Sequence, residues 1–277
     1  ANGTFVADVM VAEDGTWHYT VDLKEGANGF IALAEDKAGN KTQKDLVIQC
    51  DTQNSLSDVA LARSSNSGDA YDLVTNDTSP TLSAMTDPGA SVDIYIDDVK
   101  VATVMADASG AVSYTLPESV DGSYAVRFES TDMAGNTATS ATSVVVIDSA
   151  VVGFDMAAPP ELSNKQSIKL TGTGEANATV TVKVNGEIIG SATVDADGNW
   201  SMPVGLGKDG EYVISATMTD IAGNQASTQD YHLTLDTVTN YPTLKLDEES
   251  NSASKSDNIT RDNTPRFHGT AEAGATV

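Results

Sequence analysis

Three short acidic turns carry the densest chemistry in this sequence: Asp36-Lys-Ala-Gly-Asn40, Asp132-Met-Ala-Gly-Asn136 and Asp220-Ile-Ala-Gly-Asn224. Each sets a carboxylate and an amide around a glycine. Oxygen donors gathered in loops are what a hard cation such as calcium needs, since it takes six to eight oxygens from carboxylates, amides and backbone carbonyls. The same phrase also reads as a plain turn, with aspartate bonding its own backbone and glycine supplying a positive φ. Position relative to other acidic residues must separate the two readings.

A second phrase follows each turn after a short apolar stretch and ends in aspartate: Val47-Ile-Gln-Cys-Asp51, Val145-Val-Ile-Asp148 and Leu233-Thr-Leu-Asp236. A third occurs in the linker beyond, where Asp72 and Thr75-Asn-Asp77 recur 185 residues on as Asp257 and Thr260-Arg-Asp262. If consecutive modules stack end to end, these groups converge at junctions. The first junction would then draw on Asp36, Asp51 and Asp77, with Asp72 nearby. The third would draw on Asp220, Asp236 and Asp262, with Asp257 nearby. At the second, Asp132 and Asp148 remain and Asp155 can substitute, but Lys165 stands where the others carry a carboxylate. That junction is expected to be the exception, held by a salt bridge or by calcium bound differently.

Other acidic residues suit simpler roles. Asp195 and Asp197 in Asp-x-Asp-Gly, with Asp107 and Asp14 at matching places, resemble the start of a calcium loop but lack the downstream bidentate glutamate, so a turn explains them. Asp93, Asp97 and Asp98 read as a solvated strand face. His18, His232 and His268 are isolated, with no metalloprotease or nucleophile-elbow motif around them. Cys50 aligns with the apolar positions Ile147 and Leu235 and is expected to be a buried, inert thiol. Trp17 and Trp200 occupy equivalent places after a turn glycine, where packing accounts for them.

The elements that must position these residues follow from the alternation of apolar side chains. Val92, Ile94 and Ile96 lie on one face of Ser91–Asp97, and Val180, Val182 and Val184 on one face of Thr179–Val184, the period-two pattern of half-buried strands. Tyr124, Val126 and Phe128 match Tyr212, Ile214 and Ala216, with Phe30, Ala32 and Ala34 continuing the set. Glycine dipeptides such as Asp121-Gly122, Asn185-Gly186 and Asp209-Gly210 punctuate the strands. No stretch keeps helical periodicity over three turns. The expectation is an all-β chain of immunoglobulin-like sandwiches with cores of Val, Ile, Leu and Ala.

The acidic turns recur after 96 and then 88 residues, so the chain is an array. Its divisions are the C-terminal half of a first module (1–50), a second module with a long linker (51–148), a third with a short linker (149–236) and the N-terminal half of a fourth (237–277). The distance from strand-ending aspartate to the next core residue is 31 residues for Asp51 to Leu82 and for Asp236 to Phe267, but 22 for Asp148 to Leu170. Neither half-module should fold alone, since each exposes strand edges and half a core. A longer chain or a complementing neighbour is expected.

Composition narrows the function further. Forty acidic residues against fifteen Lys and Arg leave a formal net charge of −25 over 277 residues, which repels phosphate backbones and anionic membrane surfaces. One cysteine excludes an intramolecular disulfide framework, and no apolar run reaches the length of a membrane-spanning helix. Carboxylates held together repel, so a junction should flex without cation. With calcium at about ten times a Kd near 10⁻⁴ M, each site would stabilise the stacked form by about 1.4 kcal/mol, turning a beaded string into an elongated rod.

Taken together, Thr75-Asn-Asp-Thr-Ser-Pro-Thr-Leu82, Asp87-Pro-Gly-Ala-Ser-Val92, Asp121-Gly-Ser-Tyr124, Thr131-Asp-Met-Ala-Gly-Asn136 and Val146-Ile-Asp148 resemble the bacterial Ig-like repeats of giant type I-secreted adhesins. The resemblance runs through all four module pieces. It implies a non-enzymatic protein secreted and retained at a bacterial surface, calcium-rigidified, contacting host cells or their glycans and neighbouring repeats of its own chain. The second junction departs from the pattern at Lys165. Two other readings of an Ig-like array stand beside it: the accessory part of a secreted polysaccharide-degrading enzyme, and a structural biofilm or surface scaffold.

Overall fold

The computed structural model describes residues 6–69, 72–252, 254 and 256–277. Two compact units divide at Ser149/Ala150. All regular structure among the described residues is β-strand.

The first unit opens with a hairpin, β1 (Gly26–Glu35) and β2 (Lys41–Cys50), paired from Gly26↔Cys50 to Glu35↔Lys41. The Asp36 turn closes it. A complete sandwich follows: β3 (Ala60–Leu61), β4 (Val74–Thr75), β5 (Thr81–Met85), β6 (Ser91–Ile96), β7 (Val99–Met105), β8 (Ala111–Thr115), β9 (Gly122–Thr131), β10 (Thr137–Thr139) and β11 (Ser143–Ile147). One sheet has the order β3-β5-β8, and the other β4-β11-β9-β6-β7, with β10 on β9. Every second residue of β6 and β9 points inward, so Val92, Ile94, Val126 and Phe128 meet Leu82, Val112 and Val145 in one core.

The second unit repeats the design with β12 (Asp155–Met156), β13 (Leu162–Ser163), β14 (Ser167–Thr173), β15 (Thr179–Val184), β16 (Glu187–Thr193), β17 (Asn199–Gly205), β18 (Gly210–Thr219), β19 (Gln225–Ser227) and β20 (Tyr231–Leu235). Its sheets run β12-β14-β17 and β13-β20-β18-β15-β16, around Leu170, Val180, Val182, Trp200, Ile214 and Met218. A two-stranded piece, β21 (Lys245–Leu246) with β22 (Phe267–His268), ends the chain.

Three expectations are corrected. Asp97 and Asp98 form the two-residue turn between β6 and β7, both at positive φ (49° and 63°), instead of a strand face. The Asp97 carboxylate accepts the Ala125 N–H at 3.0 Å, which offsets the strain of a left-handed aspartate. Cys50 is only half-buried, because among the described residues β2 pairs with β1 alone, whereas β11 also has β4 beside it. Trp17 is exposed where its counterpart Trp200 is buried.

Candidate metal centre

Strand direction decides which carboxylates can meet. In each antiparallel pair, the acidic turn sits at one end and the strand-ending aspartate at the other. Thr131 of β9 leads into Asp132, while Gly122 at the far end of β9 pairs with Ile147, the residue before Asp148. The same holds for Asp36 and Asp51 on the first hairpin and for Asp220 and Asp236 on β18 and β20. Ten residues at about 3.3 Å each put about 30 Å between the two ends. The expected grouping of Asp36 with Asp51, of Asp132 with Asp148 and of Asp220 with Asp236 is therefore replaced by another.

Asp51 meets the next module. Carboxylate oxygens of Asp51, Asp87 and Asp132 all lie within 4.8 Å of one another, with Asp51 exposed, Asp87 half-buried and Asp132 buried. Each arrives from a different element: Asp51 leaves β2, Asp87 opens the turn between β5 and β6, and Asp132 begins the turn after β9. Asp87 lies outside the set of aspartates the sequence suggested. Its signal was present, because Glu175 and Glu272 hold the equivalent place in the later copies, but Asp87-Pro-Gly is equally a turn phrase.

Asp132 is held by its own turn. Its Oδ1 accepts the N–H groups of Ala134 (2.9 Å) and Asn136 (2.8 Å), and its Oδ2 accepts Asn136 Nδ2 (2.8 Å). Gly135 at φ 92° permits that wrap. Burial opposes ionisation of Asp132, but the Asn136 side chain and the Asn136, Ala134 and Gly135 amides outweigh it and hold the carboxyl below its ordinary range. Asp51 accepts the Gln53 N–H at 3.3 Å, and Asp87 the Ser55 hydroxyl at 2.7 Å. Thus both readings of the phrase coexist: the turn satisfies one side of the carboxylate and leaves a three-acid cluster on the other.

Beneath the acids lies a polar clasp. Asn54 Nδ2 donates to Ser130 Oγ (3.2 Å) and to the Asn136 carbonyl (3.1 Å), and Asn136 Nδ2 donates to the Asp51 carbonyl (3.1 Å). The Thr86 hydroxyl donates to the Ser55 carbonyl (2.7 Å) and lies 2.6 Å from Ser130 Oγ. On the hairpin side, the Thr52 N–H (3.2 Å) and hydroxyl (2.7 Å) donate to the Glu25 carboxylate. Residues 51–55 are thus tied to the hairpin before them and the sandwich after them.

Several of the other candidate aspartates accept N–H groups of their own loops. Asp36 accepts the Ala38 and Asn40 N–H groups (2.8 and 2.9 Å) and Asn40 Nδ2 (2.8 Å), and the Asn40 side chain leads the contacts that lower its pKa. Asp72 and Asp77 lie at the other pole of their sandwich, where Thr75 pairs with Ile147 in parallel and its carbonyl accepts the Asp148 N–H (2.9 Å). Asp72 accepts the Val74 N–H (3.2 Å), and Asp77 accepts the Ser79 N–H (2.9 Å) and the Ser65 hydroxyl (2.8 Å). Asp257 and Asp262 repeat this, taking the Ile259 (3.0 Å) and Thr264 (2.9 Å) N–H groups. Asp220 is buried and accepts the Asn224 N–H and Nδ2 (both 2.8 Å); Asp236 accepts the Val238 N–H (3.3 Å). Within the first unit, Asp51 and Asp132 come together; Asp36, Asp72 and Asp77 do not join them.

All donors in the triad are oxygen. An ion 2.3–2.6 Å from each ligand allows ligand atoms at most about 5 Å apart, and the three carboxylate oxygens, all within 4.8 Å of one another, satisfy that bound. Three carboxylates at this spacing repel unless something neutralises them.

The bacterial Ig-like domain model matches residues 53–149 and 157–237, and the chain belongs to that family. No curated protein matches the sequence. Among solved structures, the chain is similar to the fibronectin(III)-like modules of Clostridium thermocellum CbhA, at 18% identity and a TM-score of 0.43, covering 64% of this chain and 93% of that one. It is also similar to the BSP domain of a biofilm-associated protein, at 17% identity and a TM-score of 0.25, covering 66% of this chain and 30% of that one. A third similarity is to the Bacteroides ovatus glucan-locus protein SGBP-B, at 17% identity and a TM-score of 0.21, covering 80% and 56%.

Proposed function

We propose that this chain is a non-enzymatic segment of an extracellular bacterial adhesin, whose Ig-like modules are rigidified by calcium at their poles. The resemblance to repeats of giant type I-secreted adhesins, such as SiiE of Salmonella, supports this reading, as does membership of the bacterial Ig-like family. In it the protein is secreted, retained at the cell surface, and extends an attachment function toward host cells or their glycans. The observation that carries the calcium part is the Asp51, Asp87 and Asp132 cluster. Asp51 belongs to the linker and the other two to the sandwich, so one ion bound by all three would fix the linker to the module that follows.

Asp87 and Asp132 would serve as rigid ligands, each oriented by hydrogen bonds, and Asp51 as the mobile one. Calcium titration by calorimetry tests the site. Asp87→Asn should weaken binding by about tenfold or more while leaving the fold intact, since the Ser55 hydroxyl can still bond an amide oxygen. Unchanged affinity would remove the triad from consideration. Small-angle scattering in calcium and in chelator tests the stiffening, and equal maximum dimensions would refute it. Binding of the chain to a glycan array addresses the adhesive role separately.

A further inference from the structure

The two complete modules join their sheets differently. In the first, residues 62–73 connect β3 to β4; in the second, residues 157–161 connect β12 to β13. The longer connection opens with a turn in which the Ser65 and Asn66 N–H groups donate to the Ala62 carbonyl (2.9 and 3.0 Å). That turn is seated on the chain beside it. Ser65, 5% exposed, donates its hydroxyl to Asp77 (2.8 Å), accepts the Thr81 N–H (3.0 Å) and takes the Thr75 hydroxyl on its carbonyl. The Asn76 N–H donates to the Ser67 hydroxyl (2.8 Å). Thr75, Asn76, Asp77 and Thr81 therefore make the seat.

Their counterparts in the second module follow from strand pairing. β4 runs parallel to β11 as β13 does to β20, which sets Ser163 in the place of Thr75, and each lies seven residues before a core leucine, Leu82 or Leu170. The counterparts are thus Ser163, Asn164, Lys165 and Lys169. All four line one groove of about 690 Å³, together with the exposed Leu162 and with Asp236, whose carboxylate accepts the Val238 N–H (3.3 Å). The place that holds a serine turn in the first module is open in the second, and its charge is reversed. Lys165 stands for the acceptor Asp77 and Lys169 for Thr81. Neither lysine forms an ion pair among the described residues, although acidic side chains outnumber Lys and Arg by 40 to 15.

We propose that this groove binds an acidic turn of a partner protein, with an Asp or Glu carboxylate in the place that Ser65 holds in the first module. Asp77 accepts the Ser65 hydroxyl, whereas a lysine at that place can only donate, so the incoming side chain must be an acceptor. An ionised carboxylate makes the stronger, charge-assisted bonds with two ammonium groups. Backbone fits as well, because the same framework already holds a chain turn in the first module. Leu162 offers apolar cover to the stem of the incoming side chain. Exposed lysines steer such a contact more than they tighten it, so binding is weak and falls with salt. The groove uses none of the acids of the Asp51, Asp87 and Asp132 cluster and stands independently of calcium.

The first module supplies the probe: a cyclic peptide of residues 62–67 bearing Ser65→Asp, titrated into the full chain in chelator so that calcium cannot bridge the two. Saturable amide shifts at Ser163–Lys169 are expected by NMR, with a Kd of about 1 mM. Lys165→Glu alters an exposed side chain and should weaken binding by about tenfold or more, with core amide shifts unchanged. The same peptide with serine retained should bind about tenfold more weakly. No saturable shift in the groove, equal binding of the serine peptide, or indifference to Lys165→Glu would each overturn the proposal. So would acetate that reproduces the shifts at equal carboxylate concentration, which would leave a bare anion site. A polyuronate that occupies the groove where the peptide does not would assign it to an acidic glycan and overturn the proposal too.

Discussion

The two complete modules fill the pole beneath the acidic turn with opposite chemistry. In the first, Thr86 and Ser130 share a 2.6 Å hydrogen bond and reach the linker through Ser55 and Asn54. In the second, the equivalent places hold Gly174 and Met218. Met218 is buried in the core cluster, Val151 packs on that cluster, and a Cβ on Gly174 would come within 2.4 Å of the Met218 sulfur. One pole grips its linker with directional bonds, and the other with close-packed apolar contact. The same fold thus admits two ways of holding an incoming chain: one whose unmade bonds are expensive, and one that is sensitive to volume.

Four substitutions and one condition bear on that contrast. The largest difference should come from Gly110→Ala against Gly198→Ala. Both glycines have positive φ, but a Cβ on Gly110 would lie 2.1 Å from the Thr86 carbonyl oxygen, whereas on Gly198 the nearest atom, the Gly174 carbonyl oxygen, is at 3.2 Å. Gly110→Ala should cost about 3 kcal/mol or more, and Gly198→Ala about 1–2 kcal/mol, in chemical denaturation of the respective modules. Equal costs would mean that the poles relax alike.

Met218→Ser exchanges a buried thioether for a hydroxyl with no clasp to join and should cost about 3 kcal/mol. Ser130→Ala in the first module should cost about 1–2 kcal/mol, because Thr86 and Asn54 lose a partner while volume barely changes. Hydrogen exchange at residues 51–55 separates a clasp from mere packing: Ser130→Ala should speed it, and unchanged protection there would count against the clasp. The smallest effect is acid loosening. The Asp132 carboxyl is held below its ordinary range in the folded chain, so its contribution is present above the unfolded pKa and lost as pH falls through the folded value. Weakening below about pH 4 is expected in the first module, followed by amide exchange at Ala134 and Asn136.

Much of this was legible in the residue order. The alternation of Val92, Ile94 and Ile96 marked β6, and that of Val180, Val182 and Val184 marked β15, because a sheet with one buried face enforces period two on its side chains. The repeat of Asp-x-Ala-Gly-Asn marked equivalent turns. Less legible were Asp97 and Asp98, whose left-handed turn lacks the usual glycine, and the exposure of Trp17 and Cys50, which depends on strands being present elsewhere in the fold.

What the sequence determined by itself was the strand content, the module period and the presence of acidic turns, since these rest on local periodicity and turn chemistry. Which acids meet was decided only by tertiary structure. Antiparallel pairing sends the turn and the strand-ending aspartate to opposite poles, so Asp51 leaves Asp36 behind and joins Asp132 and Asp87 of the following module. A cluster assembled from three elements, two of them more than 30 residues from the third, has no signature in local spacing, because its geometry is a property of the packed sheets.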